Sequence, residues 1–502
     1  MKTINRYPSK ILVPLLLALV LAVGCTSSSA PTQPDVPSEE SVSAPADPVE
    51  DPTPTPEQVD DTEHADPALN TMQPPMSGPF APAPEGIPTL IFYNGDVVTM
   101  DSTAPSAQAV AIVSEQIQAA GSDEEILALA GADTLTVDLQ GRALLPGFVN
   151  PHTHILNDAH LIGADLLGAQ QIALENGVTT LANMYSAQDF VAELMELDRS
   201  GALLVRTSLY LNVVDNCGEP TGDWWREYAP TDEPGERLRI AGIKLFTDGG
   251  SCRGPAFSYE HPFFGYGDLF HTDDALDAMI SEFDAAGYQL AIHGLGDRAI
   301  EQILNSLETV LDGETNSLRH RLEHNAILRP DLLPRYSQIG VVPLIFGSYS
   351  PCGIDPTPPP EGYWEWPWRV LLDANPGLIV AWHADDPLVG SSSPLQNLYS
   401  MTTPFEVDRG GVTVCDTPEW MEPDKTITVE EALPMMNINA AYALFREDEV
   451  GSITPGKFAD LVVLSTNPLA IEPEEIIDVE VWMTMIGGET LFCMPGQEVF
   501  CP

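Results

Sequence analysis

Two histidines one residue apart stand at the end of an apolar run in the first third of the chain. Residues 144–149 are almost entirely apolar, and they lead to His152 and His154. Because alternate side chains of a strand point to the same face, a strand here would bring both imidazoles together. Two imidazoles on one face are half of what a divalent metal ion needs. The pair predicts part of a metal site that other residues must complete.

Four further apolar runs end in, or lead directly to, a residue with metal-binding or polar chemistry. These residues are Lys244, His293, His324 and Asp385. Helix-like stretches separate several of the runs, for example residues 274–286 and 297–311. Strands that alternate with helices and carry ligands at their C-terminal ends are how a (β/α)8 barrel builds its active site. The ordered set is far more specific than any single member, and it predicts an α/β fold with a metal-binding barrel.

The same segments resemble the amidohydrolase superfamily, and within it amidohydrolase family 3. The resemblance covers roughly residues 88–492 and rests on LLPGFVNPHTH, GIKLFTDGGSCR, LAIHGLGDRAIEQIL, RHRLEHNAIL, AWHADDPL and GSITPGKFADLVVL. It implies a TIM-like (β/α)8 barrel and a small β-sandwich built from both ends of the folded region. It also implies metal-dependent hydrolysis, usually of carbon–nitrogen bonds.

The resemblance gives each of the six residues a role. The metal ligands would be His152, His154, Lys244, His293, His324 and Asp385. Asp385 would also be the catalytic proton shuttle, and Lys244 would bridge two metal ions as an N-carboxylated lysine. One or two divalent ions, most simply Zn²⁺, would activate water and polarise the substrate carbonyl. The alternative for Lys244 is an ordinary lysine paired with a carboxylate.

Composition supports a special role for Lys244. The chain has five lysines, and two of them lie in residues 1–25. The remainder of the chain is dominated by acidic residues, so a lysine kept at the end of a strand indicates a need for an amine there. An unmodified ammonium group would repel a metal ion, and the bridging role therefore requires carboxylation.

Three more residues are candidate substrate contacts. Asp248 and Arg253 follow Lys244 in a loop, and His320 precedes His324 by four residues. An internal ion pair is an equally good interpretation for Asp248 and Arg253. A packing or surface role is an equally good interpretation for His320.

Three functions are compatible with these residues. The leading hypothesis is hydrolysis of a carbon–nitrogen bond other than a peptide bond, in an amide, N-acyl or N-formyl substrate. A deaminase or a lactonase would use the same ligands, and a non-catalytic binding lipoprotein is the third hypothesis. His383 and Ala384 precede Asp385 where many relatives carry Gly-Ser. This departure leaves the metal ligands intact and the choice of substrate open.

The N-terminus predicts where the protein is located. Residues 1–25 have a basic start and an apolar run that is too short for a comfortable membrane span, as in a secretory signal peptide. The run ends at Cys25 in a sequence that resembles a bacterial lipobox, so Cys25 would be lipidated. Ordinary secretion with a chance cysteine is the alternative. These features predict export to the bacterial cell envelope, periplasm or cell surface, with the lipid anchor as the membrane contact.

The rest of the chain divides by composition. Residues 26–87 are rich in Pro, Ser, Thr and acidic residues and predict a disordered acidic tether. Residues 88–146 would form the N-terminal part of the β-sandwich, residues 147–448 the barrel, and residues 449–502 the C-terminal part of the sandwich. The two strand-rich ends support this division.

Charge and cysteine content restrict the partners and the compartment. A formal net charge of −53 argues against nucleic acid and anionic lipid surfaces as partners, which leaves a small-molecule substrate. The sequence does not indicate an oligomeric state. Beyond Cys25 there are six cysteines, an even number that predicts up to three disulfides in an exported protein. Cys493 with Cys501, and Cys217 with Cys252, are the pairs that the sequence favours.

Overall fold

A computed structural model describes most of the chain after the predicted N-terminal segments. The described residues are 79–250, 252–348, 352, 357–408, 410–411 and 413–502. The predicted signal peptide, Cys25 and the predicted tether up to residue 78 lie outside them. The last residues of that tether contact the folded region, since the ring of Phe80 stacks on Phe458 with centroids 4.8 Å apart. Within the described residues, no helix has both the length and the apolar character that crossing a membrane requires.

Two sheets assembled from both ends of the folded region form a β-sandwich. Their strands are β1 (Leu90–Tyr93), β2 (Asp96–Val98), β3 (Ser106–Ala107), β4 (Ala109–Val113), β5 (Gln116–Gly121), β6 (Leu135–Asp138), β7 (Ala143–Pro146), β20 (Leu461–Leu464), β21 (Val481–Ile486) and β22 (Glu489–Cys493). One sheet has the order β5-β4-β1-β6 and the other the order β22-β21-β20-β7-β2-β3. The two sheets share an apolar core that includes side chains from β1, β4, β20 and β21.

Strand β20 explains how the sandwich packs on the rest of the molecule. Its sequence is apolar at every position, and all four residues are buried. Leu461 and Val463 join the sandwich core, whereas Val462 and Leu464 join the larger core that contains the barrel. Alternate side chains of a strand point to opposite faces, so this strand is buried on both faces.

Eight parallel strands form a nearly closed barrel. They are β8 (Phe148–Thr153), β9 (Val178–Ser186), β10 (Arg206–Asn212), β11 (Leu238–Phe246), β12 (Gln289–Gly294), β13 (Arg321–His324), β15 (Val342–Phe346) and β17 (Ala381–His383). The strands neighbour one another in this order. The short strands β14 (Ile327–Leu328) and β16 (Trp364–Glu365) pair with each other, as do β18 (Phe405–Val407) and β19 (Val414–Asp416).

Hydrogen bonds connect the first and last strands of the barrel. The indole Nε1 of Trp382 donates to the carbonyl of Val149 at 2.8 Å. The backbone N–H of Asp385 donates to the carbonyl of His152 at 3.1 Å. The predicted fold, a (β/α)8 barrel with a β-sandwich built from both ends of the folded region, is confirmed.

Helices cover the barrel and the sandwich. They are α1 (Asp123–Leu127), α2 (Leu166–Glu175), α3 (Gln188–Arg199), α4 (Asp273–Ala285), α5 (Asp297–Leu311), α6 (Leu333–Ile339), α7 (Trp368–Ala374), α8 (Pro394–Thr402), α9 (Glu422–Lys425), α10 (Val429–Met435) and α11 (Ile438–Ala443). Helix α5 shows why they pack: Ile300, Ile303, Leu304 and Leu307 are buried at the spacing of one helix face. The two helix-like stretches of the sequence correspond to α4 and α5.

Three disulfides are present among the described residues, as the cysteine count predicts. Cys217–Cys252 joins the loop after β10 to the loop after β11. Cys352–Cys415 joins the connection after β15 to β19. Cys493–Cys501, called the C-terminal disulfide below, closes the end of the chain. Both pairs that the sequence favours are confirmed, and two of the bonds hold loops that follow barrel strands.

Candidate metal centre

The six predicted ligands lie at or just beyond the C-terminal ends of barrel strands. His152 is in β8, Lys244 in β11, His293 in β12 and His324 at the end of β13. His154 follows β8 by one residue, and Asp385 follows β17 by two. All six side chains belong to buried residues. The topology therefore brings residues from five strands to the end of the barrel where (β/α)8 proteins have their sites.

Asp385 is at the centre of the group. Its Oδ1 is 3.2 Å from the Nε2 of His152 and 3.2 Å from the Nε2 of His154. His152, His324 and Asp385 each offer a ligand atom, and these three atoms lie within 4.8 Å of one another. The ring of His293 is 4.4 Å from that of His324 between centroids. Two further imidazoles, those of His154 and His293, therefore lie next to the three-residue set.

The electrostatics of the group suit a cation. Burial, followed by the charge of Lys244, lowers the pKa of His293 to about 3. Burial, followed by His293, also holds the pKa of His324 well below its usual range. Burial alone would raise the pKa of Asp385, but contacts with His152 and His154 hold it well below the ordinary value. Neutral imidazoles and an ionised carboxylate are the forms that bind metal ions.

Lys244 is a buried lysine whose amine makes no hydrogen bond to the residues that the structure describes. Its Nζ lies 4.9 Å from the ring centroid of Phe246. Burial lowers its pKa to about 8. The charges of Glu323 and Asp385 partly oppose this shift, although neither carboxylate is hydrogen-bonded to the amine. The Nδ1 of His324 is also buried without a partner. Such atoms are rare unless a ligand satisfies them, so this set of residues fits a bound metal ion.

A buried ion pair between Glu323 and Arg321 lies next to His152. Its Nδ1 is 2.5 Å from the Oε2 of Glu323. Arg321 donates to both oxygens of that carboxylate, at 2.8 and 3.0 Å, and to the hydroxyl of Tyr210 at 2.9 Å. Burial would raise the pKa of Glu323, but the Arg321 charge holds it well below its usual range. A carboxylate on the second nitrogen of a ligand histidine fixes the tautomer and orientation of the ring.

The sequence analysis did not single out Glu323. The available signal is a pair of charged residues, Arg321 and Glu323, in a strand whose residues are all buried. Their spacing of two places both side chains on the same face of β13. Charges at such positions need partners across the barrel, which the sequence does not identify.

The backbone is strained where two of the ligands emerge. His324, Asn325 and Asp385 have left-handed φ values of 76°, 54° and 53°. The amide of Asn325 stabilises this turn by donating to the carbonyls of Leu322 and Leu344, at 2.8 and 2.9 Å. Non-glycine residues in this region of φ each cost about 1–3 kcal/mol and cluster at functional sites. The strain therefore marks the ends of β13 and β17 as constrained positions.

The three candidate substrate contacts are in different surroundings. Asp248 is buried and accepts hydrogen bonds from the backbone N–H groups of Ala256, Leu295 and Gly296. Its Oδ1 is also 3.4 Å from the Nε2 of His293. This carboxylate holds together the loops that follow β11 and β12. Burial raises its pKa to about 7.

The contacts of Arg253 and His320 are with residues other than the six ligands. Arg253 is exposed, with its guanidinium 5.7 Å from the ring centroid of Phe270. His320 precedes β13, accepts a hydrogen bond at Nδ1 from the N–H of Leu290, and contacts Asp284 of α4 through Nε2 at 3.1 Å. Both of its ring nitrogens have protein partners, which leaves neither for a substrate. Its adjacency to the ligand strand in sequence does not place it in the site.

Asn212 is a polar neighbour of Lys244 that the sequence analysis missed. It is the last residue of β10, and it pairs in register with Lys244 of β11. The residue is buried, and its Oδ1 has no hydrogen-bond partner among the described residues. Residues paired in register on parallel strands point to the same face, so the amide lies on the Lys244 side of the sheet. An uncharged hydrogen-bonding group therefore borders the site.

The fold and the site define the class of α/β-barrel proteins with a metal-binding centre at the C-terminal ends of their strands. The sequence profile of the amidohydrolase family matches residues 164–492, more than half of the chain. The chain belongs to the amidohydrolase family, as its segments predict.

Individual relatives agree with this membership. LONG AFTER FAR-RED 3 of Arabidopsis thaliana is 27% identical over 407 residues, which cover 73% of this chain and 66% of the plant protein. N-substituted formamide deformylase of Arthrobacter pascens is 29% identical over 258 residues, which cover 50% of this chain and 45% of the deformylase. The matches thus span less than the full length of either relative. An uncharacterized metal-dependent hydrolase from Pyrococcus horikoshii OT3 shares the fold, with a TM-score of 0.63 and 18% identity over 76% of this chain and 99% of that one.

Proposed function

We propose that this protein is a metal-dependent hydrolase of carbon–nitrogen bonds other than peptide bonds, with an amide, N-acyl or N-formyl substrate. The observation that carries the proposal is the buried group of imidazoles around the Asp385 carboxylate, with the Lys244 amine, which has no hydrogen bond among the described residues, beside it. Family membership and similarity to a formamide deformylase support the type of reaction. A deaminase or lactonase would need the same group and a different substrate pocket.

The proposed roles follow from the chemistry of each residue. The ligands would be His152, His154, Lys244, His293, His324 and Asp385. A bound divalent ion, which we propose to be Zn²⁺, supplies Lewis acidity that activates water and polarises a carbonyl. Asp385 would accept a proton from the attacking water at Oδ1 and deliver it to the leaving nitrogen. Glu323 would keep the Nε2 of His152 directed at the site through its bond to Nδ1.

Lys244 would contribute only after modification. Carbon dioxide would form a bond to the nitrogen of the neutral amine, which releases one proton to solvent, and the resulting carbamate would be an anion with two oxygen atoms that can bind metal. The Lys244 amine has no hydrogen-bond partner among the described residues, and burial, which lowers its pKa, outweighs the opposing charges of Glu323 and Asp385. Its position on β11 lies between Asn212 of β10 and Ala291 of β12 in register. These features support carboxylation of Lys244, which would let it serve as a ligand if metal is bound.

Metal analysis of the purified protein tests the proposal. The wild type, Lys244→Met and Lys457→Met would be compared for metal content, incorporation of ¹³C-bicarbonate, and release of amine from N-formyl and N-acyl substrates. Lys457 is the matched control, because it is equally buried but bonds to Ser452 at 2.6 Å. We expect two metal ions per chain in the wild type and the control, and a loss of metal, carbamate signal and activity in Lys244→Met.

Other results would change the proposal in defined ways. One metal ion in all three proteins, without a carbamate signal, would indicate a mononuclear site. Metal uptake with release of ammonia from amino-substituted rings, or opening of lactones, would select the alternative reactions. Absence of metal from the wild type would favour a non-catalytic binding protein.

The location of the protein is a separate proposal. We propose that it is exported to the bacterial cell envelope with Cys25 as its lipid anchor. Three disulfides among the described residues support an oxidising compartment. Membrane fractionation of the wild type and Cys25→Ser tests it. The wild type should partition with membranes and the variant should be released in soluble form.

A further inference from the structure

His383 is a seventh residue with metal-binding chemistry in the same group. It is the last residue of β17 and is fully buried, at 0% exposure. Its ring centroid is 4.7 Å from that of His152 and 5.0 Å from that of His324. The rings of His152 and His324 are themselves 5.0 Å apart. The three imidazoles thus form a nearly equilateral triangle, and His383 is as close to each proposed ligand as those two are to each other.

Both ring nitrogens of His383 lack a hydrogen-bond partner among the described residues. One nitrogen of a neutral imidazole is a donor and the other an acceptor, and both lose their hydration on burial. Native proteins satisfy nearly all such groups. His320 of this chain shows the usual arrangement, since it is equally buried and both of its nitrogens have protein partners. The difference indicates that the partner of His383 is something other than the protein.

Packing alone does not account for a histidine at this position. The ring of Phe346 lies 4.3 Å from that of His383 between centroids, and His152 stacks on it with an interplanar angle of 24°. A phenylalanine would fill the same space without burying two polar atoms. The imidazole nitrogens therefore distinguish this residue from a hydrophobic one.

We propose that His383 donates a nitrogen ligand to the metal centre, in addition to the six residues named above. The inference rests on the proposed metal-dependent function. A further imidazole makes the ligand set richer in nitrogen, which favours Zn²⁺, Co²⁺ and related ions over the oxygen-seeking Mg²⁺ and Ca²⁺.

Cobalt substitution tests the proposal, because Co²⁺ has a visible spectrum that reports the number and type of its ligands. The wild type, His383→Phe and His320→Gln would be stripped with a chelator, reloaded with Co²⁺, and compared for spectrum, stoichiometry and affinity. His383→Phe preserves the ring packing and removes both nitrogens, and His320→Gln is the buried control outside the group. We expect a changed spectrum and an affinity lower by about tenfold or more in His383→Phe only.

Two further measurements separate ligation from packing. Metal-free His383→Phe should be at least as resistant to heat as the metal-free wild type, because the variant buries no unsatisfied nitrogen. The rise in melting temperature on adding Co²⁺ should be smaller in the variant. In His383→Ala, free imidazole should restore the wild-type spectrum.

A wild-type spectrum and affinity in both His383→Phe and His383→Ala would overturn the proposal and leave His383 as a packing residue. A wild-type protein that takes up no Co²⁺ would overturn the proposed function and this inference together.

Discussion

Replacing Glu323 by glutamine should weaken metal binding and destabilise the protein for two separable reasons. The carboxylate contacts the Nδ1 of His152 at 2.5 Å and accepts two hydrogen bonds from Arg321. Glutamine has nearly the same shape but lacks the charge. The variant would therefore leave the guanidinium buried without a counter-ion and make the His152 ring a weaker base.

The structure gives the magnitude of each effect. Both members of the Glu323–Arg321 pair are completely buried, and removing one partner of such a pair costs about 3–5 kcal/mol of stability. Loss of a carboxylate behind a ligand histidine lowers metal affinity about 10- to 100-fold. Since a tenfold change is about 1.4 kcal/mol, the stability loss should exceed the change in binding free energy.

Two measurements on three variants separate these effects. Urea denaturation of chelated protein gives the stability, and calorimetric Zn²⁺ titration gives the affinity. Asp460→Asn is the matched control, because Asp460 forms an equally buried two-point pair with Arg206, at 2.7 and 3.1 Å, outside the metal group. It should lose stability and keep its affinity. Adding Arg321→Met to Glu323→Gln should recover part of the stability without recovering the affinity. Unchanged Zn²⁺ affinity in Glu323→Gln, or an equal fall in Asp460→Asn, would refute the reasoning.

Three further predictions concern the loops, the substrate and pH. Replacing Cys217 and Cys252 by serine should lower the free energy of unfolding by about 4 kcal/mol, and removing the C-terminal disulfide should lower it by about 2.5 kcal/mol. The difference arises because the two disulfides close loops of different length, with sequence separations of 35 and 8 residues. Equal losses in thermal melts would contradict this explanation. Asn212→Leu should raise KM and leave the metal content unchanged, and a metal loss would place this residue among the ligands. Burial lowers the pKa of Lys457 to about 8 from 10.5, so the folded state releases its proton first and stability should rise between these pH values. Lys457→Met should flatten that rise in urea titrations, and an unchanged slope would contradict the assignment.

The sequence pattern predicted which residues meet at this end of the barrel, because each of them follows from local sequence. A buried parallel strand is an apolar run, and a polar residue at its end lies at the edge of the sheet where loops build sites. His293 and Lys244 follow this rule through the strands that carry them. The barrel then needs only the correct strand order to bring the side chains together. The fold class and the side chains that meet at the end of the barrel could therefore be predicted without coordinates.

The supporting contacts could not be predicted, because they depend on closure of the barrel. Glu323 and His152 are separated by 171 residues, and they meet only when strands β8 and β13 face each other across its interior. His320 is the opposite case. It is close to a ligand in sequence, but it precedes the strand, and its ring contacts Asp284 on α4. Separation along the chain therefore predicts neither the distant residues that contact a site residue nor the nearby ones that do not.

The distribution of lysines supports the proposed role of Lys244. The chain carries 74 acidic residues, yet each of the three lysines among the described residues is buried at 1% exposure. Lys425 forms an ion pair with Glu406, and Lys457 bonds to Ser452. Only Lys244, within this set, has a buried amine without a partner. Burying an uncompensated ammonium group costs far more than leaving it in water, and methionine would fill the same space. An amine at this position therefore indicates a chemical requirement, and conversion to an anionic carbamate would remove the cost of its burial by giving the metal ions a ligand.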